Sequence, residues 1–166
     1  MPEEEDWPAA ITLPALLRAA RRVYATAVQA ALAEAGCDDM PRNGSYVIGA
    51  MAQGGAPLSQ IIQGLGVSKQ AAGQLVDTLV IRGYVTRAAD PADRRRLTLT
   101  LTERGLGAAA AIGLAVQQVD ADLDRRVGPE HVAHTRATLA ALIEASQETE
   151  ASQETEASRQ RGEGRG

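Results

Sequence analysis

The sequence has one cysteine, no phenylalanine and only 2% aromatic residues among 166. A lone Cys37 cannot close an intramolecular disulfide, and it excludes the cysteine-rich patterns that hold structural zinc. Without Phe the interior must be filled by Leu, Val, Ile and Ala, drawn from a 45% hydrophobic composition, a mixture suited to helices in close contact. No apolar run approaches the roughly 18 residues that span a bilayer. The amino terminus MPEEEDWP is acidic where a secretory signal is basic, so a soluble, cytoplasmic protein with no membrane partner is expected. Catalytic constellations are missing too. His131 and His134 stand three apart beside Glu130 instead of forming the i, i+4 pair of a zinc-hydrolase helix, and no Walker loop or GxSxG stretch occurs. The expectation is a protein that is not an enzyme and uses no metal and no cofactor.

Charge is unevenly placed. The net charge of -4 is set by the two ends, by Glu3, Glu4, Glu5 and Asp6 at the head and by the glutamates after Gln147. Between Pro57 and Gly105 seven basic side chains stand against four acidic ones, a local net of +3. Three of the seven, Arg94, Arg95 and Arg96, are adjacent. A basic middle in an acidic chain points to a polyanionic partner.

Hydrophobic periodicity orders the rest. Apolar residues from Leu13 to Leu32 recur at helical spacing, with Gly36 placed to stop the helix. Asn43 to Gln53 carries a second helical pattern through Tyr46, Val47, Ala50 and Met51. After Gly54, Gly55 and Pro57, Leu58 to Leu65 reads as a two-turn helix ended by Gly66. Ser68 then caps a further helix whose buried stripe is Leu75, Val76, Leu79 and Val80 and which closes at Gly83. Two helices joined by a short glycine-containing turn are a helix-turn-helix signature. Next, Tyr84 to Arg87 reads as a strand, and Leu97, Leu99 and Leu101 alternate with threonines as its partner. This puts Arg94 to Arg96 at or beside a hairpin tip. Thr102 caps a long Ala-rich helix with Ile112, Val116, Val119 and Leu123 on one stripe. Gly128 and Pro129 start the last helix, with Val132, Leu139, Leu142 and Ile143 on its apolar face. The tandem SQETEA repeat and the Gly and Arg tail have too little hydrophobicity to form a core.

The helix after Ser68 has the chemistry of a DNA reader. Lys69 can donate to guanine O6 and N7, and Gln70 and Gln74 can bond adenine bidentately. The amino end of the helix favours phosphate. Gly73 lets this helix approach either a groove wall or a neighbouring helix, and the sequence leaves both open.

These residues carry a resemblance. LSQIIQGLGVSKQAAGQLVDTLVIRGYVTR, the stretch DPADRR and the following LTERG resemble the winged helix-turn-helix of the MarR family of bacterial transcription regulators. The implied fold is mainly α with a small β-ribbon: a winged helix-turn-helix over 57–105 with dimerisation helices at 11–36 and 103–145. A single domain would then span 11–145, between an acidic disordered terminus at 1–10 and a disordered tail at 146–166. The resemblance implies a homodimer on double-stranded DNA, reading an inverted repeat. It puts Ser68 on phosphate and Lys69, Gln70 and Gln74 on base edges, with Gly73 among them. Arg94 would enter a minor groove, Arg95 would pair with Asp90 or Asp93, and Arg96 and Arg87 would touch phosphate. Many relatives have Ser or Thr followed by Arg where this chain has Gly73 and Gln74, so no relative supplies the operator sequence.

The family default is a ligand-responsive repressor with a small-molecule effector, here in a crevice lined by Tyr24, Tyr46 and Met51. Two other functions compete. One is a redox sensor of the same fold acting through Cys37, which Asp38 and Asp39 oppose by disfavouring the thiolate. The other is a winged-helix module for protein contacts, which would have no use for a one-sided basic set.

Overall fold

The computed structural model describes residues 11–54, 65–89 and 97–163. Helix α1 spans Leu13–Glu34 with Pro14 in its first turn and buries Val28 and Leu32. It ends where Gly36 takes φ +68° and the Cys37 N–H donates back to the Leu32 carbonyl at 2.7 Å. This return satisfies a carbonyl of the last turn and needs a residue tolerant of left-handed backbone. A connector then leads to α2, Gly44–Ala52, entered through Asn43 at φ 66° and burying Val47 and Ile48.

Helix α3, Lys69–Ile81, begins as the serine predicts: the Ser68 hydroxyl accepts from the Ala71 N–H at 3.2 Å. It closes at Gly83, φ +72°, with the Tyr84 N–H on the Leu79 carbonyl at 2.9 Å. Strands β1, Val85–Ala89, and β2, Leu97–Leu101, pair antiparallel with Val85 opposite Leu101 and Arg87 opposite Leu99. Helix α4 is Glu103–Val127, and α5 is Pro129–Glu163 after Gly128 at φ +86°.

One buried cluster joins α1, α2, α3, β1 and α4: Val28, Leu32, Cys37, Val47, Ile48, Leu79, Tyr84, Val85, Ala108, Ile112 and Ala115. Among the described residues Tyr84 is the largest side chain that is fully buried. The strand expected from Tyr84 starts one residue later, because Tyr84 is held in this core at the bend between α3 and β1.

The chain divides into two compact units, Met1–Val119 and Asp120–Gly166. The described members of the core cluster and the residues packed on it end at Val116, and residues 121–127 are all exposed. Within the second unit Arg136 binds Asp120 at 2.6 Å and Arg125 pairs with Asp122. The tail is not disordered throughout as expected, since α5 continues as helix through Glu163. Ala, Glu and Gln dominate the repeat, with no Gly or Pro before Gly162. Such residues extend an existing helix without having to nucleate one. The acidic terminus at 1–10, the first helix of the helix-turn-helix from 58 to 64 and the hairpin loop at 90–96 lie outside the described residues.

Candidate nucleic-acid interface

Helix α3 has two faces. Ala72, Val76 and Leu79 are buried, whereas Lys69, Gln70, Gly73 and Gln74 are exposed together with Ser68 at the cap. The serine cap orders the first turn, so the N–H groups there and the Lys69 ammonium share one end of the helix. Lys69 has no ion-pair partner among the described residues. No described atom lies within 4 Å of a Cβ built on Gly73.

Arg87 does not stand free. It pairs with Asp77, one turn beyond Gly73 and Gln74 on α3. The pair is exposed, so its own stability is worth only about 0.2–1 kcal/mol. Its electrostatic effect is larger in importance: it neutralises a carboxylate on the helix that would meet phosphate, and it ties β1 to α3. Arg87, expected to touch phosphate, is thus engaged by Asp77 within the chain. The sequence shows Asp77 and Arg87 ten residues apart, but only the turn at Gly83 and Tyr84 brings them together. Arg94, Arg95 and Arg96 lie outside the described residues.

Thr102 and Gly105 fix the start of α4 against this lobe. The Thr102 hydroxyl donates to the Gly83 carbonyl at 2.5 Å and accepts from the Gly105 N–H at 3.0 Å. A Cβ on Gly105 would stand 2.0 Å from the Tyr84 carbonyl oxygen, so the glycine of LTERG is a packing requirement. Arg104, which sequence reasoning passed over, lies with its guanidinium carbon 4.3 Å from the centroid of the Tyr84 ring. It donates to Asp39 Oδ1 at 2.8 Å and to the Arg82 carbonyl at 2.6 Å. The Tyr84 hydroxyl donates to the same Asp39. That bond, followed by Arg104, holds the Asp39 carboxyl below its ordinary range. Burial and the neighbouring Asp39 push the Tyr84 hydroxyl upward.

A groove of about 800 Å³ opens between α1, α2, their connector and α4. Tyr24 and Tyr46 line it, with Arg21 and Arg42 as cations and Ile112 and Val116 at its floor. Met51, expected beside the tyrosines, packs against the hydrophobic core. Cys37 lines the groove but is only 3% exposed. His131 and His134 are exposed, and no cluster of metal-ligating side chains forms among the described residues. No helix among them is long and apolar enough to cross a membrane.

A serine-capped helix followed by a two-stranded ribbon and a long helix is the order of a winged helix-turn-helix fold. Over residues 38–96 the chain matches the family model described as MarR family. Solved structures share the fold. The S. aureus MepR–DNA complex is 18% identical with a TM-score of 0.62, covering 81% of this chain and 98% of that one. The transcriptional repressor CouR bound to a 23-mer DNA duplex is 24% identical with a TM-score of 0.60, covering 80% and 92%. The reduced form of E. coli MarR is 20% identical with a TM-score of 0.59, covering 80% and 97%. No curated protein matches the sequence.

Proposed function

We propose that the protein is a sequence-specific DNA-binding transcription regulator, a ligand-responsive repressor that acts in the cytoplasm as a homodimer on an inverted repeat. The observation that carries this reading is the exposed row Lys69, Gln70, Gly73 and Gln74 on a helix capped by Ser68. Two of its relatives in fold, MepR and CouR, are seen on DNA. Ser68 and the first-turn N–H groups would take a phosphate, Lys69, Gln70 and Gln74 base edges, and Arg94 a minor groove. Arg95 would hold the wing loop through Asp90 or Asp93, and Arg96 would reach the backbone. The exposed apolar residues Leu123, Val127, Leu142 and Ile143 supply a surface for a second copy.

The groove suits a small aromatic anion, since Tyr24 and Tyr46 offer ring faces and Arg21 and Arg42 offer charge. Such an effector acts only through a difference in affinity between the DNA-competent form and another.

Replacing Arg94 with Ala should weaken binding and reduce the slope of log affinity against log salt by about one for each phosphate left unneutralised. Replacing Gln74 with Ala should instead change sequence preference, by about 1–3 kcal/mol at one base pair in each half-site. Titrations of both variants over a salt series and a panel of operator mutants separate the two effects. Wild-type behaviour in both would refute this assignment.

A further inference from the structure

The connector between α1 and α2 has two allegiances. Cys37, Asp38, Met40 and Arg42 line the groove. Asp39, in their midst, is bound by the Tyr84 hydroxyl and by Arg104. Tyr84 follows the turn that closes the recognition helix: its N–H donates back to the Leu79 carbonyl at 2.9 Å, and its own carbonyl accepts the Thr102 N–H at 3.1 Å. Arg104 reaches both sides of this junction, with the Arg82 carbonyl at 2.6 Å and the Gly36 carbonyl, at the end of α1, at 3.4 Å. One guanidinium and one buried phenol thus join the groove wall, the end of the recognition helix and the start of α4.

We infer that Asp39, Tyr84 and Arg104 form the link through which an occupant of the groove reorients the recognition helix, with Asp39 the positioning residue. The inference rests on the DNA-binding and effector reading above. Its physical basis is that the wall an occupant would push is the same short segment that carries Asp39. Hydrogen bonds tolerate only a few tenths of an ångström of stretch before weakening, so displacement of the wall must either drag Tyr84 or release it. Tyr84 is fully buried and continuous with both α3 and β1. Moving it changes the angle of the recognition helix and the wing together, which is the differential contact a coupling between sites requires.

The test fills the groove by substitution. Ser45 lines it from the first turn of α2 and lies outside the core cluster, so Ser45→Phe acts as a permanent occupant. Gln53→Phe, in the same groove, serves if the first variant does not fold. Two readouts are taken on the full chain: amide hydrogen exchange at Gly83, Tyr84 and Val85 without DNA, and affinity for an inverted repeat selected with the wild type. The filled groove should change both by about fivefold or more, and by less than about twofold when Tyr84→Phe or Asp39→Asn is also present. Equal changes with and without Tyr84→Phe, or no change at residues 83–85 in a folded filled variant, would overturn the link. If no form binds DNA the DNA reading fails, and hydrogen exchange alone decides the link in the same way.

Discussion

Gly105 has no room for a side chain, and its smallest replacement is a direct test of how the wing lobe meets α4. The Cβ of an alanine would lie 2.0 Å from the Tyr84 carbonyl oxygen, a backbone atom that cannot swing aside. Gly105→Ala is expected to lower stability by about 1–3 kcal/mol, read from urea unfolding, despite the better helix propensity of alanine. Tyr84 and Asp39 also set a pH dependence. The Asp39 pKa is lowered from 3.8, first by the Tyr84 hydroxyl, so it contributes stability above that value that is lost as pH falls below it. The Tyr84 pKa is raised from 10.0, first by burial, so its contribution is complete below pH 10 and is lost as pH rises further. Thermal midpoints across pH should fall at both ends for the wild type. In Tyr84→Phe the tyrosine share of the alkaline loss should vanish and the acid loss should shrink.

At the scale of elements, α3 poses the clearest question, because a glycine in the middle of the helix proposed to read DNA weakens that helix. Gly73→Ala should stabilise the protein by about 1 kcal/mol, since no described atom crowds that Cβ. If the glycine serves a groove wall, the same change should weaken operator binding by about tenfold, near 1.4 kcal/mol. Melting and binding curves on one preparation would then move in opposite directions. Helices α1, α3 and α4 were legible in the sequence because each carries a long 3.6-residue apolar stripe with a recognisable stop or cap, at Gly36, Ser68 and Thr102. The ribbon was legible from the alternation of leucine and threonine. The helical course of the repeat after Ser146 was not, because low hydrophobicity argues against a core and says nothing against extending a helix already formed. The Asp39, Tyr84 and Arg104 cluster was hidden for another reason. Its members lie 45 and 65 residues apart, and local pattern carries no information on pairings of that span. Arg87 was legible as a cation, but its engagement with Asp77 depends on the turn between α3 and β1.

For the whole molecule, the apolar residues left exposed in a single chain set the expected assembly. Leu13, Val23, Leu114, Leu123, Val127, Leu142 and Ile143 are each between 37% and 60% exposed. Scattered surface leucines are ordinary, but their concentration on the long helices α1, α4 and α5 fits a protein completed by its own copy. A two-fold dimer of winged helices would present its two α3 helices to successive major grooves, which makes the DNA site itself a report on the quaternary structure. The most direct measurement is selection of bound duplexes from a random pool by the full chain, followed by sequencing. The account predicts an inverted repeat whose half-sites are centred about one helical turn apart, roughly 10 base pairs. Failure to enrich any sequence, or enrichment of a single unrepeated site, would contradict it.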